Sequence, residues 1–218
     1  MLSICLAGET VVLLPEKALW LPAHASLLVA DVHLGKAASF RRQGVPVPRG
    51  SSRAALQGLS LLIERLGPER VVFLGDFLHA PAAHNPDTWQ DLWHWRQRHP
   101  GLELVLVRGN HDHRAGDPAV ELGMRCVDEP WPLGPWALSH HPQPHPQGYV
   151  LAGHWHPCVS LQARARDRLR LPCFWLGAQV GVLPAYGPFT GMHPIAPAAG
   201  DRVYAVADDM VVDLAVGR

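Results

Sequence analysis

Five short clusters of polar residues have the types and spacing to do chemistry together: Asp31-Val32-His33, Gly75-Asp76, Gly109-Asn110-His111-Asp112, His140, and Gly153-His154-Trp155-His156. Carboxylate, carboxamide and imidazole groups suit first-row divalent metals, and no thiolate is required. Asp31 and His33 are two apart, so a strand continuing through them would direct both side chains to one side. The same holds for His154 and His156, although a loop could route these two to different ions. Any one fragment is weak evidence, because a lone histidine is more often a satisfied structural residue than a ligand. Five fragments in this order, each following an apolar run, point to a metal site.

The elements that must position them read as follows. Glu9–Leu14 and Ala18–Leu21 form two short strands around a Pro15-Glu16-Lys17 turn. Leu27–Ala30 and Val71–Leu74 are continuous apolar runs, as strands buried on both faces show, and Leu102–Val107 is a third apolar strand, interrupted only by Glu103. Between them, Leu56, Leu59, Leu62, Ile63 and Leu66 make a helical stripe over 51–66, with a serine available as N-cap. Asn85-Pro86-Asp87 gives an N-cap, a first-turn proline and a favourable first-turn acid for a helix through about Arg98. Strand and helix thus alternate, with polar residues at the carboxyl ends of the strands, where α/β sheets gather ligands. After His113 helices become scarce. Short strands are expected at about 136–139, 149–152, 158–161, 169–175, 203–207 and 210–214. The fold class is therefore α/β, two sheets packed face to face with helices outside, in one domain over 1–218.

The composition allows this. The chain has 218 residues, 48% of them hydrophobic, which is enough for a generous core. The formal net charge is zero, so bulk charge gives no argument for nucleic acid and leaves only a local basic patch. No apolar run is long enough to span a membrane and no secretory leader is visible, so a cytoplasmic location is expected. Cys5, Cys126, Cys158 and Cys173 are scattered without paired spacing and read as reduced hydrophobes. Fourteen histidines are the unusual number.

The ordered motifs resemble those of the calcineurin-like metallophosphoesterase superfamily, over residues 31–156. The resemblance implies a four-layer sandwich of two mixed β-sheets flanked by helices, and a dinuclear centre. It implies that Asp31, His33 and His156 hold one ion, that Asn110, His140 and His154 hold the other, and that Asp76 bridges them. Such a pair of ions activates water and polarises phosphoryl oxygens. Further segments, Leu34–Arg42, Pro157, Arg170–Phe174 and Leu183–Gly191, resemble the bacterial ligase-associated DNA-damage-response endonuclease group. That likeness implies cleavage of DNA or a related phosphodiester with manganese, with iron, zinc or magnesium as alternatives. It also implies work beside a DNA ligase, an exonuclease and a helicase. The oligomeric state is not readable.

Several residues keep two readings. By resemblance His111 is not a ligand and would stabilise charge or protonate the leaving oxygen, with Asp112 orienting its ring; alternatively Asp112 caps the following segment. His140 is preferred to its neighbour His141 as ligand. His79, three residues past Asp76, could line the site behind the ligands, but reads first as an exposed loop residue. Lys36, Arg41, Arg42 and Arg49 could contact flanking phosphates or form a solvated face. Trp89 and Trp93 could stack bases or pack, and Trp155 could wall the site. Besides the phosphodiesterase, a phosphomonoesterase and a non-catalytic metal-binding scaffold compete. The Phe77-Leu78-His79 continuation argues against a serine/threonine phosphatase, and the complete donor set against the scaffold.

Overall fold

The computed structural model describes residues 1–48, 50–162 and 168–214. A seven-stranded sheet comes first: β1 (Leu2–Leu6), β2 (Glu9–Leu14), β3 (Ala18–Leu21), β4 (Ser26–Val29), β5 (Arg70–Leu74), β6 (Glu103–Val107) and β7 (Met124–Val127), side by side in chain order. β1 to β4 run as an antiparallel meander, and β4 to β7 are parallel. Parallel neighbours need a crossover. The chain supplies α1 (Lys36–Arg42) and α2 (Ser51–Leu66) between β4 and β5, α3 (Pro86–Arg98) between β5 and β6, and α4 (Asn110–Ala115) after β6.

The apolar runs are continuous because each parallel strand is buried on both faces. Leu27, Val29, Val71, Phe73, Leu104 and Leu106 meet Leu56, Leu59 and Leu62 of α2 and Leu92 and Trp95 of α3. Their alternating neighbours Leu28, Val72, Leu74, Val105 and Val107 face Trp136, Leu138, Leu151, Phe174 and Leu176 of a second sheet. That nine-stranded sheet is built from β8 (Trp131–Leu133), β9 (Trp136–Leu138), β10 (Tyr149–Ala152), β11 (Pro157–Gln162), β12 (Arg168–Leu176), β13 (Val180–Val182), β14 (His193–Pro194), β15 (Arg202–Ala207) and β16 (Met210–Leu214). It too is mixed: β10 pairs parallel with β9 and β13, whereas β12 pairs antiparallel with β11, β13 and β15. The expected pair of mixed sheets with flanking helices is what the chain forms.

Local chemistry agrees with the reading in α3, where the Asn85 side chain accepts the Thr88 amide at 3.0 Å ahead of Pro86. At α2 the N-cap differs: it is Gly50, with left-handed backbone, and Ser51 is already helical. Ser52 accepts the Gly35 amide instead, fastening the loop after the first motif. No described helix is long and apolar enough to cross a membrane.

Leu59 is 1% exposed in the seam between α2 and the first sheet. Leu59→Ala should lower unfolding free energy by about 3 kcal/mol in urea melts. A loss below about 1 kcal/mol would show that the helix is not packed as described.

Candidate metal centre

β4, β5 and β6 end in register, and their exits deliver Asp31 and His33, Asp76, and Asn110. Across the sandwich, the exit of β9 delivers His140 and that of β10 delivers His154 and His156. The first two motifs are zipped together by backbone bonds, Asp31 N–H to Gly75 O at 3.2 Å and His33 N–H to Asp76 O at 2.8 Å. Asp31 and His33 do face one site, but not by strand alternation. β4 stops at Val29, and both residues adopt left-handed backbone (φ 54° and 48°) while Val32 turns into the core. Asp76, His154 and His156 are left-handed as well. Five of the seven expected ligands thus sit in backbone that non-glycine residues disfavour, strain that a rigid surround must hold.

The donors converge closely. Groups within 4.8 Å of one another include Asp31 with His33 and His156, and Asp31 with Asp76 and His140. His156 Nε2 is 3.4 Å from Asp31 Oδ1, His33 Nε2 is 3.6 Å from Asp76 Oδ2, and His140 Nε2 is 3.5 Å from Asp76 Oδ1. His140 Nε2 also lies 3.0 Å from Asn110 Oδ1 and 3.0 Å from His154 Nδ1. The structure therefore brings all seven expected ligands together, with Asp76 between the two sets.

Whether these residues suit cations can be tested on the site itself. Asp31 and Asp76 are 0% and 3% exposed, and among the described residues only imidazoles come within ion-pair distance of them. Each carboxylate accepts a backbone amide, from His154 and His111 respectively. The Nε2 atom of His33 is buried with no hydrogen-bond partner at all. A buried orphan nitrogen facing a buried carboxylate is costly unless a cation joins them. Burial, reinforced by Lys36 and the neighbouring histidines, holds His33 down to about 2, so its imidazole is neutral and able to ligate. Burial, with His140 and His141 nearby, lowers His154 also. For His156, burial opposes the charged form but the Asp31 carboxylate and the Gly191 carbonyl outweigh it and raise the ring.

Backbone carbonyls orient three of the rings. His140 Nδ1 lies 3.1 Å from Leu74 O, His156 Nδ1 3.1 Å from Gly191 O, and His111 Nδ1 2.5 Å from His79 O. These partners assign the proton to Nδ1 and leave Nε2 facing the carboxylates, the arrangement expected around metal-binding histidines. The close approach of His140 also explains Gly75. A Cβ there, at φ 75°, would lie 2.2 Å from His140 Nδ1.

Four sequence expectations need revision or completion. His79 is not a surface loop residue: its ring stacks on His111 at 5.0 Å and its Nδ1 is 3.4 Å from His33 Nδ1. Asp112 does not orient His111. It is 1% exposed and accepts the amides of Phe77, Leu78 and Gly109, so from the third position of α4 it satisfies the amide of the N-cap Gly109 and ties the helix start to the second motif. His141 stands beside His140 and His154 as a further donor, and Glu129 holds this loop: its carboxylate accepts the amides of His140 and His141 at 2.7 and 2.8 Å and meets the His141 ring. Glu129 itself was missed. It follows β7 and clamps the His140 loop across the gap between the sheets.

The basic segment divides. Lys36 is half-buried, close enough to Asp76 and Asp31 to feel both carboxylates, although burial dominates and lowers its pKa. Arg41 donates to Pro48 O and, with Arg42, borders an open cavity of about 440 Å³ beside Asn85 and Asp87. Arg49 lies outside the described residues. Trp89 and Trp93 stack on each other at 5.7 Å, with Trp89 packed on the core, and Trp155 rests on Trp175 at 5.4 Å.

A sequence model of the calcineurin-like phosphoesterase family matches residues 26–141, and the chain belongs to that family. It is accordingly a metal-dependent phosphoesterase, a hydrolase. Among solved structures it is similar to the Pseudomonas putida nuclease MPE, with 46% identity over 98% of this chain and 99% of that one, at a TM-score of 0.87. The E. coli phosphoesterase Yfce shares 15% identity over 88% of this chain and 98% of that one, and its TM-score of 0.42 is too low to bear on function. No curated protein sequence matches significantly.

Glu129→Ala should weaken metal binding about tenfold or more, because the His140 loop loses its anchor. Glu129→Gln, which keeps an oxygen for the amides, should recover much of it. Isothermal titration of the metal-free protein with manganese reads both, and unchanged affinity in Glu129→Ala would show that the clamp is dispensable.

Proposed function

We propose that this protein is a manganese-dependent phosphodiesterase that cleaves DNA in repair, acting in the cytoplasm. The observation that carries the reading is the complete convergence of Asp31, His33, Asp76, Asn110, His140, His154 and His156 around two buried carboxylates. The likeness at 46% identity to a protein named as a nuclease supports the substrate class. Oxygen and nitrogen donors without thiolate suit manganese. Divalent ions held by these residues would supply an activated water and polarise the phosphoryl oxygens.

The chain's own groups do the rest. His111 carries no metal in this reading. Its Nδ1 is held by the His79 carbonyl and its Nε2 is 3.9 Å from Asp76 Oδ2, at the edge of the donor cluster. Doubly protonated, the ring can hand its Nε2 proton to the leaving oxygen while the His79 carbonyl keeps Nδ1 in place. Lys36, beside the carboxylates, adds positive charge where phosphate charge accumulates. Arg41 and Arg42 sit about 7.5 and 9 Å further along α1, placed to meet flanking phosphates of a longer substrate. A DNA ligase, an exonuclease and a helicase are the companions we assign to it.

The test compares the unmodified enzyme, with manganese, on a bis-ester, the matching monoester and single-stranded and duplex DNA. Diesters and DNA should be preferred, and a clear preference for the monoester would reject the proposal. His111→Ala should lower turnover on DNA by roughly a hundredfold with metal content retained. Arg41→Ala/Arg42→Ala should raise KM for DNA and flatten its salt dependence, because fewer counterions are released. Equal losses on DNA and on a small chromogenic diester would assign these arginines to the fold instead.

A further inference from the structure

We propose that a cavity beside His156 seats one nucleobase of the substrate strand, stacked on Phe189, next to the phosphate being cleaved. This rests on the nuclease reading above. The cavity has a volume of about 190 Å³ and is lined by His156, Pro157, Phe189 and Met192, among others. It adjoins the metal centre through His156, which lines the cavity and lies 3.4 Å from Asp31 through Nε2. A nucleotide adjoining a phosphate held at the centre carries its base one sugar away from it, and this recess offers that base apolar walls beside a ligand.

The wall of the recess is unusual in two ways. Phe189 and Met192 are 43% and 41% exposed, although each would gain by burial. Phe189 also has left-handed backbone, φ 61°, which is an outlier for a bulky side chain. An exposed aromatic ring held in strained backbone contributes little to the fold itself. The backbone around it is tightly fixed. Tyr186 N–H donates to Ala30 O at 2.8 Å and Gly187 N–H to Asp31 O at 3.1 Å. His193 N–H donates to His156 O at 2.9 Å, and His156 Nδ1 meets Gly191 O at 3.1 Å. A Cβ on Gly187 would lie 2.1 Å from Val32 O, so only glycine lets the loop come this near the first motif. The ring is thereby registered to the ligands at both ends of the loop, as a stacking platform must be to receive a base at a set distance from the reaction.

The charge of the recess fits the same occupant. Among the described residues no carboxylate lines it, and Lys17 stands at its border, bound through Nζ to Tyr186 O at 2.9 Å. An anionic strand is accepted and an apolar face is offered to its base. Stacking needs only a π-face, so the recess should tolerate any of the four bases.

The experiment uses single-stranded oligonucleotides carrying one abasic nucleotide at successive positions around a single cleavage site. With the unmodified enzyme, one position adjoining the cleaved phosphate should raise KM about tenfold. Phe189→Gly, which removes the ring and relieves the strained backbone, should keep its melting temperature and raise KM for intact DNA by a similar factor. Its abasic profile should be flat, because the partner of that base is gone. Phe189→Trp should restore the position-dependent loss. A flat profile in the unmodified enzyme, or the same abasic penalty in Phe189→Gly, would overturn the assignment. If the unmodified enzyme cleaves no DNA while hydrolysing small esters, the nuclease reading itself fails, which is a different result from a flat profile.

Discussion

Two carboxylates out of water, Asp31 and Asp76, with no lysine or arginine in ion-pair contact among the described residues, set the terms for the rest of the structure. A buried ionised carboxylate is stable only if hydrogen bonds and opposite charge replace the water it has lost. One backbone amide apiece does not suffice. The groups around the carboxylates are arranged for cations: His33, His140 and His156 turn Nε2 toward them, the His33 nitrogen has no hydrogen-bond partner, and Asn110 adds an amide oxygen beside His140. In the proposed two-ion centre, Asp76 would be the shared anion, offsetting part of the repulsion between two dications close together.

Holding that cluster has consequences in the backbone. Left-handed residues concentrate at the site, and none of them is free to relax. The Gly75–Phe77 segment pins the first motif, the Leu74 carbonyl and Glu129 pin His140, and Gly191 pins His156. Behind these stand the two packed sheets, whose cores lie directly beneath the loops that carry the ligands. The sandwich supplies rigidity, and the loops spend it on backbone angles that regular elements would not adopt.

Much of this was legible in the sequence because burial leaves a direct mark. The runs 27–30, 71–74 and 104–107 are apolar on every residue because helices cover one face and a second sheet the other. The Asn85-Pro86-Asp87 start of α3 is a local device and appears where expected. The seven donors were legible as types and order, but not the route by which they meet, since left-handed backbone at Asp31 and His33 has no sequence mark outside glycine. α1 was missed because only Ala37 of its seven residues is buried, so no stripe shows. β1 did carry a signal, the alternation Leu2, Ile4, Leu6. Glu129 was invisible as a site residue because its contacts to His140 and His141 are made only when the sheets pack, and His79 read as a loop residue first because its contact to His111 forms only when the loops after β5 and β6 meet.

The central claim is that these seven residues hold two ions bridged by Asp76. It is tested most directly by anomalous diffraction at the manganese edge from crystals grown with saturating metal. The account predicts two peaks per chain, one beside Asp31, His33 and His156 and the other beside Asn110, His140 and His154, with the Asp76 carboxylate between them. A single peak at saturation, with Asp76 bound to one ion only, would contradict it.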